Sequence, residues 1–81
     1  MIDKARLEKA TTLALQPHLG VAAEFVAQDA IALMQTAKSD STLNDQARER
    51  IFFIGLGGML DKTIPFEQIR AHIFKVYRNS R

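Results

Sequence analysis

The sequence feature that most constrains the fold is an apolar run at residues 51–60, in which no side chain is polar. The run holds two of the five phenylalanines and three of the four glycines of the chain. Because apolar surface is driven out of water, the run must be buried in the core or against a partner. Its glycines indicate that some backbone lies unusually close to another element.

Periodicity alone does not decide whether this run is a helix or a strand. Phenylalanine and isoleucine favour a strand, and Gly55 costs a helix about 1 kcal/mol relative to alanine. A lone strand would have no partner, however, because no other segment of the sequence reads as a strand. We therefore predict that the run belongs to a helix.

Short breaks rich in proline, glycine or capping residues divide the chain at residues 17–20, 39–42 and 61–65. Between them apolar residues recur at helical spacing. The sequence therefore predicts an all-α fold in a single domain over residues 1–81. The predicted bundle has four helices, at about residues 3–16, 19–38, 42–60 and 65–79.

Capping residues mark the predicted helix starts. Asp3 suits the N-cap of the first helix, and Thr42 with Asp45 three positions later resembles a capping box. Pro65 suits the first position of the last helix.

The second predicted helix carries more apolar surface than one core face can cover. Besides its main face it has another apolar strip, formed by Val21, Phe25 and Ala32. A helix that is apolar on two sides lies centrally in a bundle, or between its own core and a partner.

Length and composition exclude several classes of protein. A domain of 81 residues buries only about 60% of its unfolded surface, so a partner or a second copy would add to its stability. The absence of cysteine excludes disulfides, thiolate zinc sites and cysteine nucleophiles. The charged N-terminus lacks the apolar core of a signal peptide, and no apolar run reaches the roughly 20 residues of a membrane span. We expect a cytoplasmic protein without a transmembrane segment.

No motif predicts a cofactor, a metal site or an enzyme. The glycines at 55, 57 and 58 match neither the dinucleotide fingerprint nor the phosphate-binding loop, so close helix packing or a helix kink explains them better. His18 and His72 each lack a second ligand four positions away. The carboxylates are scattered singly, and no spacing predicts an acid–base pair.

The last helix is the most basic segment, although the formal net charge of the chain is only +2. Phosphate-binding proteins usually show a narrow basic stripe, whereas these cations spread over more than a third of the helix circumference. An alternative function is therefore a nucleic-acid-binding regulator that uses this helix. Its candidate contacts are Arg70, Lys75, Arg78 and Arg81.

The surplus of apolar surface favours a small non-enzymatic protein-interaction module, such as an adaptor, chaperone, inhibitor or regulator. Its partner is another protein or a second copy of the chain, and we expect a homodimer. A third hypothesis is peripheral membrane association through the last helix. The candidate interface residues are Phe25, Phe52, Phe53, Leu56 and Met59.

Overall fold

A computed structural model describes residues 3–37 and 44–79 of the chain. These residues form four α-helices: α1 (Lys4–Leu19), α2 (Ala22–Ala37), α3 (Asp45–Met59) and α4 (Phe66–Asn79). Within these ranges there is no strand. α1 packs against both α2 and α4, and α2 also packs against α3. The predicted all-α bundle of four helices is confirmed.

Asp3 caps α1, as the sequence predicts. Its Oδ1 accepts a hydrogen bond from the Arg6 backbone N–H at 3.2 Å, and its own backbone is extended. The same end of α1 is tied to the end of α4, because the Asp3 N–H donates to the Tyr77 hydroxyl at 3.0 Å. The Arg6 guanidinium donates to the Tyr77 carbonyl and lies 4.5 Å from the centre of the Tyr77 ring. One cluster thus joins the first turn of α1 to the last turn of α4.

The predicted end of the first helix at residue 16 is wrong, because α1 continues through Pro17 to Leu19. Pro17 has no N–H to donate to the Leu13 carbonyl, and its ring crowds that carbonyl, yet the helix continues for two more residues. The break falls instead at Gly20, whose φ of 60° is a conformation that residues with a side chain rarely adopt. α2 accordingly begins at Ala22, three residues later than predicted.

The apolar run is helical through Met59, and Leu60 ends α3 in an extended conformation. Within the described chain the cap of α3 is Asn44, whose Oδ1 accepts from the Ala47 N–H at 2.8 Å. Thr42 of the predicted capping box lies outside the described residues. Asparagine at this position satisfies an N–H group of the first turn in the same way.

The last helix starts one residue later than predicted, because Pro65 lies just before α4. Its carbonyl accepts from the N–H groups of Gln68 and Ile69, both at 3.1 Å. The preceding turn is held by Asp61, whose Oδ1 accepts from the Thr63 N–H at 3.0 Å. The short connection between α3 and α4 is thus held by hydrogen bonds, which determine where α4 begins.

All four helices contribute side chains to one core. The largest side chains with almost no exposed surface are Phe52, Leu15, Leu56 and Ile73. The buried apolar residues are Leu7, Ala10, Ala14, Leu15, Ala23, Ala27, Ala30, Ile31, Met34, Phe52, Phe53, Leu56, Ile69 and Ile73. The buried Thr11 hydroxyl donates to the Leu7 carbonyl at 2.7 Å, so burial leaves that donor satisfied.

The close approach expected at the glycines occurs between helices of the same chain. A Cβ atom at Gly55 would lie 2.7 Å from Cδ1 of Leu33 on α2, so the end of the Leu33 side chain would have to shift to make room for it. At Gly57 a Cβ atom would lie 3.4 Å from the Phe66 ring of α4. Gly58 has no atom of another residue so near.

Candidate functional site

The five candidate interface residues do not form one surface. Phe52, Phe53 and Leu56 lie in the core, and Phe52 and Leu56 have no exposed area. Phe25 on α2 is 64% exposed, and Met59 at the end of α3 is 38% exposed. Because every residue of the run is apolar, its sequence could not show which side of the helix faces inward.

A groove of about 460 Å³ lies between α3 and α4, and we call it the α3–α4 groove. Its α3 side begins at the first turn and ends at Gly57, and its α4 side follows the first half of that helix. The lining residues are Gln46, Glu49, Arg50, Phe53, Ile54, Gly57, Phe66, Arg70 and Phe74.

Aromatic rings form the apolar part of this groove. The rings of Phe53 and Phe74 lie 5.1 Å apart between centroids, and the Phe66 ring lies over Gly57. Phe66 and Phe74 are both half-buried, and Ile54 is 74% exposed. α3 and α4 are therefore only partly in contact, and the groove between them exposes apolar surface to solvent.

Arginines surround the aromatic rings. The Arg70 guanidinium carbon lies 5.7 Å from the centre of the Phe53 ring and 5.8 Å from that of Phe74. The Arg78 guanidinium carbon lies 6.0 Å from the centre of the Phe74 ring. Glu67 is 3.8 Å from Arg70, but both side chains are largely exposed, so water screens this pair. Arg70 thus remains able to pair with a carboxylate.

The candidate nucleic-acid contacts do not all lie at one site. Arg70 lines the α3–α4 groove, and Arg78 lies against Phe74. Lys75 lies in a separate shallow depression with His72 and Asn79. Arg81 lies outside the described residues.

A second exposed apolar surface lies on α2 and the turn before it. Val21 is 91% exposed and Phe25 is exposed as well, so the apolar strip predicted beside the core face reaches solvent. Glu24 and Asp29 flank Phe25 and are also exposed. We call these four residues the α2 outer face. Val21, Phe25 and Asp29 are directed away from the side of α2 that buries alanines in the core, whereas Glu24 lies at the edge toward α1.

α2 and α4 carry net charges of opposite sign. α2 contains Glu24 and Asp29 and no lysine or arginine, whereas α4 contains Arg70, Lys75 and Arg78 against Glu67 alone. Acidic and basic apolar surfaces therefore occur on different parts of the same chain.

Sequence reasoning missed the α3–α4 groove, although one signal of it is present. Phe66, Arg70, Phe74 and Arg78 follow one another at four-residue spacing, which places aromatic and basic side chains alternately along one side of α4. The pattern alone did not show that α3 leaves this side open.

Other kinds of site find no support in residues 3–37 and 44–79. No group of three or more histidine and acidic side chains comes close enough there to hold a metal ion. No helix in these ranges is long and apolar enough to cross a membrane. His18 and His72 lie on different helices, and both are exposed.

Comparisons of the chain with protein-family models, with curated proteins and with solved structures found no match. The function proposed below therefore depends on the geometry of the chain's own residues.

Proposed function

We propose that this chain is a small non-enzymatic protein-interaction module that binds an amphipathic helix in the α3–α4 groove. The observation that carries the proposal is the exposed apolar lining between two helices, with Ile54 at its edge and phenylalanine rings below. Grooves of this kind take up the apolar side chains that recur at positions i, i+4 and i+7 of a ligand helix.

The charges of the groove indicate the composition of the ligand. Arg50 and Arg70 lie on opposite sides, one from each helix, and among the described lining residues Glu49 is the only one with a carboxylate. Because a guanidinium pairs well with a carboxylate at a partly desolvated site, we expect a ligand helix whose apolar side is flanked by aspartate or glutamate.

The same lining residues argue against catalysis in the groove. General acid–base or nucleophilic chemistry needs a positioned pair of titratable groups or an activated nucleophile. The described lining residues offer one carboxylate, one amide and two guanidinium groups, with no histidine, serine or lysine among them. This composition suits recognition of an acidic ligand better than proton transfer.

The test is selection of ligands from a displayed library of amphipathic helical peptides. We expect enriched peptides to carry an apolar stripe with acidic flanks, and to shift the backbone amide NMR signals of α3 and α4. Ile54→Glu and Arg70→Glu should each weaken binding about tenfold, which corresponds to about 1.4 kcal/mol.

Lys75→Glu is the matched control, because it reverses a charge on the same helix outside the groove. It should leave peptide binding unchanged. Failure to enrich any peptide, or enriched peptides that bind Ile54→Glu and Arg70→Glu as well as the unchanged chain, would contradict the proposal.

The nucleic-acid function makes a different prediction for the same variants. A phosphate-binding α4 would bind duplex or single-stranded nucleic acid with an affinity that falls steeply with salt. Lys75→Glu would then weaken binding as much as Arg70→Glu, and Ile54→Glu would have little effect. This pattern would favour the basic helix over the groove.

A further inference from the structure

We propose that the ligand helix of the α3–α4 groove is the α2 outer face of a second copy of this chain. Glu24 and Asp29 of one copy would pair with Arg50 and Arg70 of the next, and Phe25 would enter the groove between them. This inference rests on the proposed function and names the partner that the groove would take.

The α2 outer face has the composition that the groove predicts for its ligand. Phe25 and Asp29 are one helical turn apart, and Val21 precedes Phe25 by the same number of residues. Glu24 lies on the other side of Phe25 and accepts a hydrogen bond from the Gln28 side chain at 3.4 Å. The outer face thus presents an exposed aromatic side chain between two carboxylates, and the groove presents phenylalanine rings between two arginines. The two surfaces are complementary in charge and in apolar character.

The contact must join two molecules, because a chain cannot place its own α2 outer face in its own groove. α2 packs against α1 and α3 through its alanine-rich side, where Ala23, Ala27 and Ala30 are fully buried. Phe25 and Asp29 of the outer face lie on the opposite side of that helix and are directed outward, and Glu24 lies at its α1 edge. Turning it toward the groove would require unpacking the core.

The face and the groove are different surfaces, so the contact is heterologous. Such contacts close into a ring when the geometry allows and otherwise extend into an open chain. Two copies can close only if each places its α2 outer face in the groove of the other. In every case the average mass rises with protein concentration.

The charge pairing can be tested by reversing each half separately. Variant A carries Glu24→Arg and Asp29→Arg, and variant B carries Arg50→Glu and Arg70→Glu; all four residues are exposed, so both variants should fold. By sedimentation up to about 1 mM protein, the unchanged chain should self-associate, whereas A alone and B alone should be monomeric.

An equimolar mixture of A and B should associate again. The basic face of A meets the acidic groove of B, and the unchanged acidic face of B meets the unchanged groove of A. Lys4→Glu with Lys75→Glu is the matched control, since it alters the net charge by the same amount as variant B at exposed positions outside the groove. This control should associate like the unchanged chain.

Three results would overturn the inference: an unchanged chain that stays monomeric, association that A and B leave intact, or a mixture that remains monomeric. None of these is a failure of the proposed function. If displayed peptides bind the groove through Ile54 and Arg70 while the chain stays monomeric, the module is supported and its partner is a different protein.

Discussion

The two sides of α4 differ in how far the chain closes them. On one side α4 packs against α1, with Ile69 and Ile73 buried and the Tyr77 cluster joining the helix ends. On the other side α4 meets α3 through side chains such as Phe53 and Phe74, and a groove remains between the helices. We infer that the first side holds the fold and that the second is available for recognition.

This difference has a simple physical origin. The α1 side combines buried aliphatic groups, which exclude water, with hydrogen bonds at the partly exposed end of the helix. The α3 side places arginines next to aromatic rings, and each guanidinium needs water or a partner. α3 and α4 therefore remain apart where these arginines lie, unless another molecule supplies carboxylates to pair with them.

The largest effect on stability should come from a cavity on the side of α4 that packs against α1. Ile73→Ala removes a side chain with no exposed surface, and the cavity should cost about 2–5 kcal/mol of unfolding free energy. Ile54→Ala removes the same groups from the edge of the groove and should change stability by less than about 0.5 kcal/mol. Urea unfolding followed by circular dichroism measures both. Equal losses would show that the two sides of α4 contribute alike to the fold.

The helices and the Asp3 cap could be predicted from the sequence, whereas the groove between α3 and α4 could not. Local rules identify Asp3 as a cap and place four helices, because capping and apolar spacing depend on neighbours in the chain. They misplace the end of α1, since the helix continues past Pro17 and the break falls at Gly20. The groove depends on how α3 and α4 diverge, which is a tertiary property.

The apolar run illustrates the same limit. A helix with no polar side chain gives no hydrophobic period, so the sequence cannot separate Phe52, which is buried, from Ile54, which is exposed. The structure separates them because α2 covers one side of α3 and solvent reaches the other. Composition alone predicts that apolar residues of the run are buried, but it does not predict which of them are exposed.

A smaller effect should follow from removing one hydrogen bond at the α1–α4 junction. Tyr77→Phe keeps the ring beneath the Arg6 guanidinium but deletes the hydroxyl that accepts from the Asp3 N–H. We expect a loss of about 1 kcal/mol in unfolding free energy and earlier hydrogen exchange in the first turn of α1. Groove binding should not change. A loss of peptide affinity in this variant would mean that the two sides of α4 are coupled.

The smallest change in stability should come from substituting two glycines at the end of α3. These substitutions distinguish an effect on stability from an effect on peptide binding. Gly57→Ala and Gly58→Ala both replace a helical glycine, and each should gain up to about 1 kcal/mol of stability from helix propensity. The new methyl group at residue 57 would touch the Phe66 ring inside the groove, whereas at residue 58 it would meet nothing within 4 Å.

We therefore expect Gly57→Ala to weaken binding of the selected peptides and Gly58→Ala to leave it unchanged, although both variants fold at least as well as the unchanged chain. Thermal unfolding and peptide titration measure the two properties separately. Equal peptide affinities in the two variants would show that the ligand does not reach the part of the groove over Gly57. Because the two substitutions are chemically identical and adjacent, a difference in binding could arise only from the surface that each methyl group faces.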